Sequence, residues 1–234
     1  HMGGPLGNFG LLPSLSFGNA PYHAATADFN HDGFPDLAVV NRLSAGSVTV
    51  KLGNGQGGFS TTFTLPVGDT PSSCVAADVN LDGKVDLVVT NESGNTLSII
   101  LGQGTGNFAS QVSYPVPVGP TSVAVGDLNG DSTPDLVVAS GSSSQVSLLL
   151  AVTPGSFGPP HSFGVAGTPR CVALADVNQD GRLDAVVSTS GSNSIASLLG
   201  NGLGGLGVPS VVSLSTAPEL FTIADVNFDG RKDV

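Results

Sequence analysis

An acidic nonapeptide that recurs five times constrains the fold of this 234-residue chain more than any other feature. Each copy follows the pattern Asp-x-Asn-x-Asp-Gly-x-x-Asp, except that the third has serine in place of the glycine. A proline stands seven residues before each copy. A fixed period of this length indicates a repeat architecture, in which one small structural unit is stacked several times. The copies begin at Asp28, Asp78, Asp127, Asp176 and Asp225, at intervals of 50, 49, 49 and 49 residues.

Each repeat reads as four short strands separated by turns. In the second repeat the strands are expected at residues 73–77, 87–90, 96–101 and 111–118. The first two are short apolar runs, as expected for strands that are buried on both faces, and a Gly-rich turn at 102–106 follows the third. Four strands per repeat are typical of an all-β propeller, whose antiparallel blades bury their faces against their neighbours. A solenoid is the weaker alternative, and a helical bundle is disfavoured.

The repeats indicate part of a single β-propeller with four complete blades and a half blade. Residues 1–2 are expected to be a cloning remnant, and residues 10–17 an outer strand. Residues 221–224 are expected to form a strand whose exposed edge favours self-association through the incomplete blade. We expect a truncated chain, a processed piece or one part of a larger ring. The predicted divisions of this one domain are residues 3–20, 21–70, 71–119, 120–168, 169–217 and 218–234.

The charge balance excludes several classes of partner. The chain has 18 acidic and 7 basic side chains and a net charge of −11, which repels phosphate backbones and anionic membranes. We therefore expect no nucleic-acid binding. No apolar run is long enough for a membrane-spanning helix, so we expect no membrane insertion either. Only Asp69, Glu92 and Glu219 lie outside the acidic copies. One divalent cation per copy would bring the net charge from −11 to −1.

The residue types in each acidic loop are those of a calcium site. In a tightly curled loop, side-chain oxygens at positions 1, 3 and 5 point to one centre, position 7 turns its carbonyl inward, and position 9 adds a carboxylate. Glycine at position 6 reaches the positive φ of the turn easily. A flexible carboxylate-rich loop favours Ca²⁺ over Mg²⁺, and zinc or copper is disfavoured because no Cys or His lies at ligand spacing. The predicted ligands of up to five Ca²⁺ ions are Asp28, Asn30, Asp32, Phe34 and Asp36; Asp78, Asn80, Asp82, Lys84 and Asp86; Asp127, Asn129, Asp131, Thr133 and Asp135; Asp176, Asn178, Asp180, Arg182 and Asp184; and Asp225, Asn227, Asp229, Arg231 and Asp233, with Phe34, Lys84, Thr133, Arg182 and Arg231 contributing the backbone carbonyl.

Two other interpretations of the acidic loop are disfavoured. An EF-hand or dockerin-like loop begins in the same way but needs an acidic ligand at position 12 and a following helix. An Asx-rich turn that only satisfies its own backbone is plausible for one isolated copy, but five copies in phase argue against it. Position 12 is a valine within an expected strand, at Val39, Val89, Val138 and Val187.

Short elements at fixed phase carry a resemblance to a known family. The pattern Asp-x-Asn-x-Asp-Gly-x-x-Asp-Leu is complete at residues 78–87, Gly-x-x-Pro stands at 18–21 and 68–71, and Phe-Gly stands at 9–10 and 157–158. The chain resembles the calcium-binding FG-GAP or VCBS-type repeats of integrin α-subunit propellers, related fungal lectins and many bacterial surface proteins. The resemblance implies a propeller whose acidic loop joins the first and second strands of each blade, holds calcium and lies on one rim.

The sequence departs from the family pattern at three positions. Ser132 replaces the loop glycine, Leu206 the repeat phenylalanine and Ala185 the leucine after the last aspartate. A non-glycine residue in a left-handed conformation costs of order 1 kcal/mol, and Gly130 offers a way to move the bend. We therefore expect the third loop to be the weakest of those in complete blades.

No constellation of residues indicates catalysis, so we expect the chain not to be an enzyme. The histidines are scattered, and the acids outside the loops share no motif phase for glycoside hydrolysis. Cys74 and Cys171 lie in non-adjacent repeats and are expected to be small core residues without a disulfide. Weak multi-site calcium loops fill at extracellular concentrations, which indicates a secreted or cell-surface location.

The function expected from these features is an extracellular calcium-binding propeller module for adhesion or recognition, with a protein or glycan ligand on a loop face. A calcium-dependent lectin is one alternative, and the propeller of a larger polysaccharide-acting enzyme is another. Sugar pockets usually stack a ring on Trp or Tyr, and this chain has no Trp and only Tyr22 and Tyr114. This favours the adhesive module over the lectin.

Overall fold

The computed structural model describes residues 15–234, which form four antiparallel sheets of four strands each. Sheet 1 contains β1 (Pro21–Ala27), β2 (Asp36–Asn41), β3 (Ser47–Gly53) and β4 (Phe59–Pro66). Sheet 2 contains β5 (Pro71–Ala77), β6 (Asp86–Asn91), β7 (Thr96–Ile100) and β8 (Val112–Pro115). Sheet 3 contains β9 (Pro120–Gly126), β10 (Asp135–Ser140), β11 (Gln145–Leu149) and β14 (His161–Gly164), with a hairpin of β12 (Ala151–Thr153) and β13 (Ser156–Phe157) before β14. Sheet 4 contains β15 (Pro169–Ala175), β16 (Asp184–Thr189), β17 (Ser194–Leu198) and β18 (Ser210–Ser213).

In every sheet the paired strands follow one another in chain order, so each repeat is an antiparallel meander. The predicted all-β organisation, with one four-stranded sheet per complete repeat, is confirmed. The only helical element in the described part of the chain is a single 3₁₀ turn at Ser190–Ser192. None of its helical segments has the length and hydrophobicity that crossing a membrane requires.

The hydrophobic core lies between successive sheets. Strands β2, β6, β10 and β16 are almost entirely buried, because each carries apolar side chains on both faces. Sheets 1 and 2 share one apolar cluster, sheets 2 and 3 share a second, and sheets 3 and 4 share a third. Phe108, Phe157 and Leu206, at the same phase of their repeats, each pack into the cluster shared with the preceding sheet. Leucine at position 206 therefore takes over the packing role of the phenylalanine.

The first strands β1, β5, β9 and β15 lie side by side, and side-chain hydrogen bonds connect them. The Ser72 hydroxyl donates to the Pro120 carbonyl at 2.8 Å, and the Thr121 hydroxyl donates to the Pro169 carbonyl at 3.2 Å. Between the first two repeats, the Cys74 N–H donates to Nδ1 of His23 at 3.4 Å. The sheets are thus arranged with their first strands on a common inner side, which is a propeller-like arrangement.

The structure corrects several details of the sequence prediction. The fourth strand of repeat 2 ends at Pro115 rather than at residue 118. Residues 221–224 form no strand, and only one isolated bridge joins Ala224 to Asp233. The outer strand predicted at 10–17 lies mostly outside the described residues, and residues 15–17 are not in a strand. The predicted two-sided burial of first strands is wrong for β1, where exposed and half-buried residues alternate. Within residues 15–234, β1 has a neighbouring first strand on one side, β5, whereas β5 lies between β1 and β9.

Candidate functional site

The five acidic loops share one frame of hydrogen bonds, shown here for the first. The Asp28 carboxylate accepts the N–H groups of Asp32 and Gly33 at 3.2 and 2.8 Å. The Asn30 side-chain oxygen accepts the same Asp32 N–H at 3.1 Å, and the Asp32 carboxylate accepts the Phe34 N–H at 2.9 Å. The same four bonds recur in the other loops. Oxygens of positions 1 and 3 therefore meet at one backbone N–H inside the curl.

Two residues of each loop, at positions 4 and 6, have a positive φ. Four loops have a non-glycine residue at position 4, such as Leu81 with φ +59°, and a glycine at position 6. The third loop reverses this order, because Gly130 at position 4 has φ +78° and Ser132 at position 6 has φ +67°. The Ser132 N–H keeps the common bond to Asp127 at 2.8 Å. Ser132 thus adopts the turn made by glycine elsewhere, as expected, and Gly130 relieves position 4 rather than moving the bend.

The aspartate at position 9 is a buried clamp between the loop and the end of the third strand. One oxygen of Asp36 accepts the Phe29 N–H at 2.8 Å, and the other accepts the Gly53 N–H at 2.7 Å. Asp86, Asp135 and Asp184 make the corresponding pairs of bonds. From the sequence this residue was predicted only as a ligand, and its structural role was not predicted. The buried strand that begins at position 9 was the available signal.

In the first loop the pKa values of the position 1 and position 9 carboxylates are shifted in opposite directions. The pKa of Asp36 is raised because desolvation and repulsion from Asp32 and Asp28 outweigh its two N–H bonds. The pKa values of Asp86 and Asp135 are raised for the same reasons. Desolvation also acts upward at Asp28, but the N–H groups around its carboxylate lower the pKa of this residue. The first loop therefore favours a charged carboxylate at Asp28 and penalises one at Asp36.

The second loop differs from the others at position 5. In four loops the position 3 amide donates to the position 5 carboxylate, as from Asn30 to Asp32 at 2.9 Å. In loop 2 the Lys84 ammonium lies 3.2 Å from the Asp82 carboxylate. The pKa of Asp82 is lowered against desolvation, by the Lys84 N–H and by its ammonium. Loop 2 therefore carries its own positive charge beside a predicted ligand.

The donor chemistry of the loops fits a hard cation. Each loop offers carboxylate and amide oxygens, with neither sulfur nor imidazole among the predicted ligands. In the structure these oxygens accept N–H groups, and no three His, Cys, Asp or Glu side chains of residues 15–234 are grouped as a metal site. A bound ion would have to replace some of these N–H groups as the partner of the side-chain oxygens. The side chains at positions 1, 3 and 5 lie on an exposed loop, so this exchange would not require a strand to unfold.

The first three acidic loops also contact the following repeat. The position 2 carbonyl accepts the N–H of a hairpin glycine in the next repeat, as from Gly106 to Phe29 at 3.0 Å and from Gly155 to Val79 at 2.8 Å. Gly204 makes the same bond to Leu128. Because position 9 clamps the loop to its own third strand, each of these three loops lies between hairpins of two repeats. The acidic loops therefore occupy one face, at the ends of the first strands.

The comparisons with known proteins agree with this repeat structure. The family profile described as FG-GAP-like repeat matches residues 28–89, 78–138, 127–187 and 176–234. The chain belongs to the FG-GAP-like repeat family. No curated protein matches it.

Solved structures similar to this FG-GAP-like chain show the same fold at low identity. A Bacteroides uniformis protein named as a candidate 6-phosphogluconolactonase has a TM-score of 0.67 at 15% identity, covering 88% of this chain and 60% of its own. A protein of unknown function from Desulfotomaculum acetoxidans has a TM-score of 0.62 at 13% identity, with coverages of 85% and 59%. An Agrocybe aegerita lectin that recognises non-reducing terminal N-acetylglucosamine has a TM-score of 0.54 at 19% identity, with coverages of 80% and 51%. This chain thus spans between half and three fifths of their length.

The other candidate residues lie apart from the loops. Cys74 and Cys171 lie in sheets 2 and 4. Cys74 is a core residue, as predicted, whereas Cys171 is only half-buried. Glu92 and Glu219 line a cavity beside the starts of the first strands. This cavity was not predicted from the sequence, although most of its lining residues recur at one phase directly after the repeat prolines.

Proposed function

We propose that this chain is a non-enzymatic, extracellular recognition module of the β-propeller type, whose acidic loops bind calcium. The observation that carries the proposal is the common frame of the five loops. In each loop, side-chain oxygens of positions 1 and 3 converge on one N–H, beside the position 5 carboxylate. Five similar arrangements of oxygen ligands on one face suit five calcium ions.

A closed ring is part of this proposal. Three successive pairs of sheets share apolar clusters, and the first strands line a common inner side. Continuing this arrangement around an axis gives a propeller, which leaves no long exposed sheet edge. The similar solved structures, of which this chain spans only part, are longer chains of the same fold.

The role of calcium in this proposal is to stiffen one face of the module. Positions 1, 3 and 5 and the position 7 carbonyl would hold the ion, and its charge would replace the N–H groups as the partner of the carboxylates. The position 9 aspartate anchors the loop to the third strand through Gly53 or its equivalents. The opposite face, where the first strands begin, is left free for a protein ligand.

The adhesive module is better supported than the lectin. The Tyr114 ring packs edge-on against Phe157, with 5.7 Å between ring centroids. The Tyr22 ring is exposed, but the Arg42 guanidinium covers it at 4.5 Å from the centroid. The Tyr114 ring is therefore held in an aromatic pair and one face of the Tyr22 ring is covered, which leaves at most one open tyrosine face for stacking a sugar.

Calorimetry of EDTA-treated protein tests the calcium proposal. Calcium should raise the melting temperature by many degrees, because each site filled at about 100 times its dissociation constant contributes about 2.7 kcal/mol. Magnesium should restore much less stability, since it retains its waters and demands an octahedral shell. A melting curve that is indifferent to both chelator and calcium would refute the metal assignment. A glycan array probed with and without calcium would separately detect lectin activity.

A further inference from the structure

A cavity of about 310 Å³ lies where the first strands begin. One of its lining residues is Glu92, directly after β6. Since each repeat contributes residues of the same phase, the cavity lies on the common inner side of the repeats. Its other lining residues are the two that follow each repeat proline: Tyr22 and His23, Ser72 and Ser73, Thr121 and Ser122, Arg170 and Cys171, and Glu219 and Leu220.

The cavity and the acidic loops belong to opposite faces. The cavity residues stand at the first positions of β1, β5, β9 and β15, whereas the acidic loops follow the last residues of these strands. A ligand in the cavity would therefore not compete with an ion in the loops. The cavity belongs to the face that our proposed function leaves free for a partner.

Two hydrogen-bond donors that lack a partner among the described residues line the cavity, one on β1 and one on β5. His23 Nδ1 accepts the Cys74 N–H, so the proton of the neutral ring is on Nε2. Burial lowers the pKa of His23, which keeps the ring neutral at pH 7. Neither His23 Nε2 nor the hydroxyl of buried Ser73 has a hydrogen-bond partner within residues 15–234. Both groups can donate to an oxygen placed in the cavity.

Arg170 supplies a positive charge that its neighbours only partly compensate. Its Nε donates to the Ser190 hydroxyl at 3.1 Å, and the Glu219 carboxylate is 3.9 Å from the same nitrogen. Its terminal nitrogens have no hydrogen-bond partner among the described residues. Arg42, by contrast, is paired with Glu92 and stacked over Tyr22. Arg170 is therefore the cation that remains available to a ligand.

Both carboxylates that line the cavity already lie near a guanidinium, Glu92 beside Arg42 and Glu219 at 3.9 Å from Arg170. Glu92 is bonded to Arg42, and the Glu219 side chain is 71% exposed. A guanidinium with free N–H groups binds a carboxylate through two parallel hydrogen bonds. The unpartnered donors of His23, Ser73 and Arg170 thus favour an anionic group that only accepts hydrogen bonds.

We propose that this cavity receives the carboxylate of one Asp or Glu side chain from a protein partner. This assignment rests on the proposed recognition function. The volume is at the small end of ligand pockets, about 300 Å³, and suits one side chain rather than a polymer. Tyr22 and Leu220 are 58% and 74% exposed and offer apolar contact to the residues that flank the acidic one.

Isothermal titration with a blocked Gly-Gly-Glu-Gly-Gly peptide tests this proposal. The peptide should bind, its glutamine counterpart should bind at least about tenfold more weakly, and Arg170→Gln should weaken binding of the glutamate peptide by a similar factor. Ser73→Ala should weaken it a few-fold. Lys51→Gln, which removes the same charge outside the cavity, should leave it unchanged.

Three results would overturn the proposal: equal binding of the two peptides, unchanged binding by a folded Arg170→Gln variant, or binding of free glucuronate but not of the peptide. The last would assign the cavity to an acidic glycan instead. Calcium-dependent melting of the same samples reports on the proposed function separately. Failure of peptide binding with an intact calcium effect would reject only the cavity assignment.

Discussion

Gly130→Ala tests the strain carried by the acidic loops. A Cβ at this position would have as its nearest atom the Gly202 carbonyl oxygen at 3.8 Å, which is ordinary van der Waals contact. The penalty is therefore conformational, because φ is +78°. A left-handed residue costs about 1–2 kcal/mol, and loss of glycine's freedom in the unfolded chain returns about 0.4–1 kcal/mol. We expect a net loss of about 1 kcal/mol, or a melting temperature lower by about 2–4 °C.

Reversing the order of the two residues should remove this loss. Ser132→Gly alone relieves the remaining strain and should stabilise the loop by about 1 kcal/mol, with calcium affinity rising a few-fold. The double variant Gly130→Ala, Ser132→Gly restores the order found in the other four loops and should melt close to the parent protein.

Differential scanning calorimetry of the four proteins, with calcium and with EDTA, measures these differences. Gly164→Ala is the control, since its Cβ meets nothing within 4 Å and its φ is not in the left-handed region. A Gly130→Ala variant as stable as the parent, or a double variant no more stable than Gly130→Ala, would refute the strain argument.

Three further predictions concern single side chains. Lys84→Met should raise the calcium affinity of loop 2 in isothermal titration, because it removes the ammonium 3.2 Å from the Asp82 carboxylate; unchanged affinity would show that the ammonium does not compete. Asp86→Asn should lower the free energy of unfolding in urea by roughly 2–3 kcal/mol, since an amide cannot accept both the Val79 and Gly102 N–H groups; equal stability to Asp69→Asn would contradict the clamp. Burial lowers the pKa of His23 from 6.5 in the folded protein, so the folded state favours the neutral ring. The contribution of His23 to the free energy of unfolding is therefore complete above pH 6.5 and is lost as the pH falls toward the folded pKa. Melting temperatures at pH 7.5 and 5.5 should differ less in His23→Gln than in the parent protein, and equal differences would exclude His23 as a source of the pH dependence.

The strand pattern could be predicted from the sequence because its signals are local and repeated. Apolar runs such as Leu87 to Val89 lie directly after an acidic loop in each repeat, and all four second strands form there. The strand expected at residues 221–224 does not form, because a strand needs partners in a ladder and only Asp233 pairs there. Local hydrophobicity alone carries no information about partners.

The site was predicted less completely than the fold. Glycine marked the left-handed residue at position 6, but Leu81 at position 4 gave no signal, since leucine disfavours this conformation and only the loop's bonds impose it. The second bond of Asp36 goes to Gly53, 17 residues away, and such a contact depends on how the strands pair. Residues at the cavity recur in phase but change chemical type in every repeat, so no motif marked them.

The bonds from Gly106, Gly155 and Gly204 to the preceding acidic loops make neighbouring repeats thermodynamically dependent on each other. In an array of this kind, stability is approximately a sum of terms for each unit and for each junction between units. Such an acidic loop is part of both its own unit and the next junction, so a change at one loop alters the stability of two sheets together. More distant sheets respond only through their neighbours. Local opening should therefore spread along the array from junction to junction, and the segment between Phe29 and Gly106 should exchange its amide hydrogens as one cooperative block.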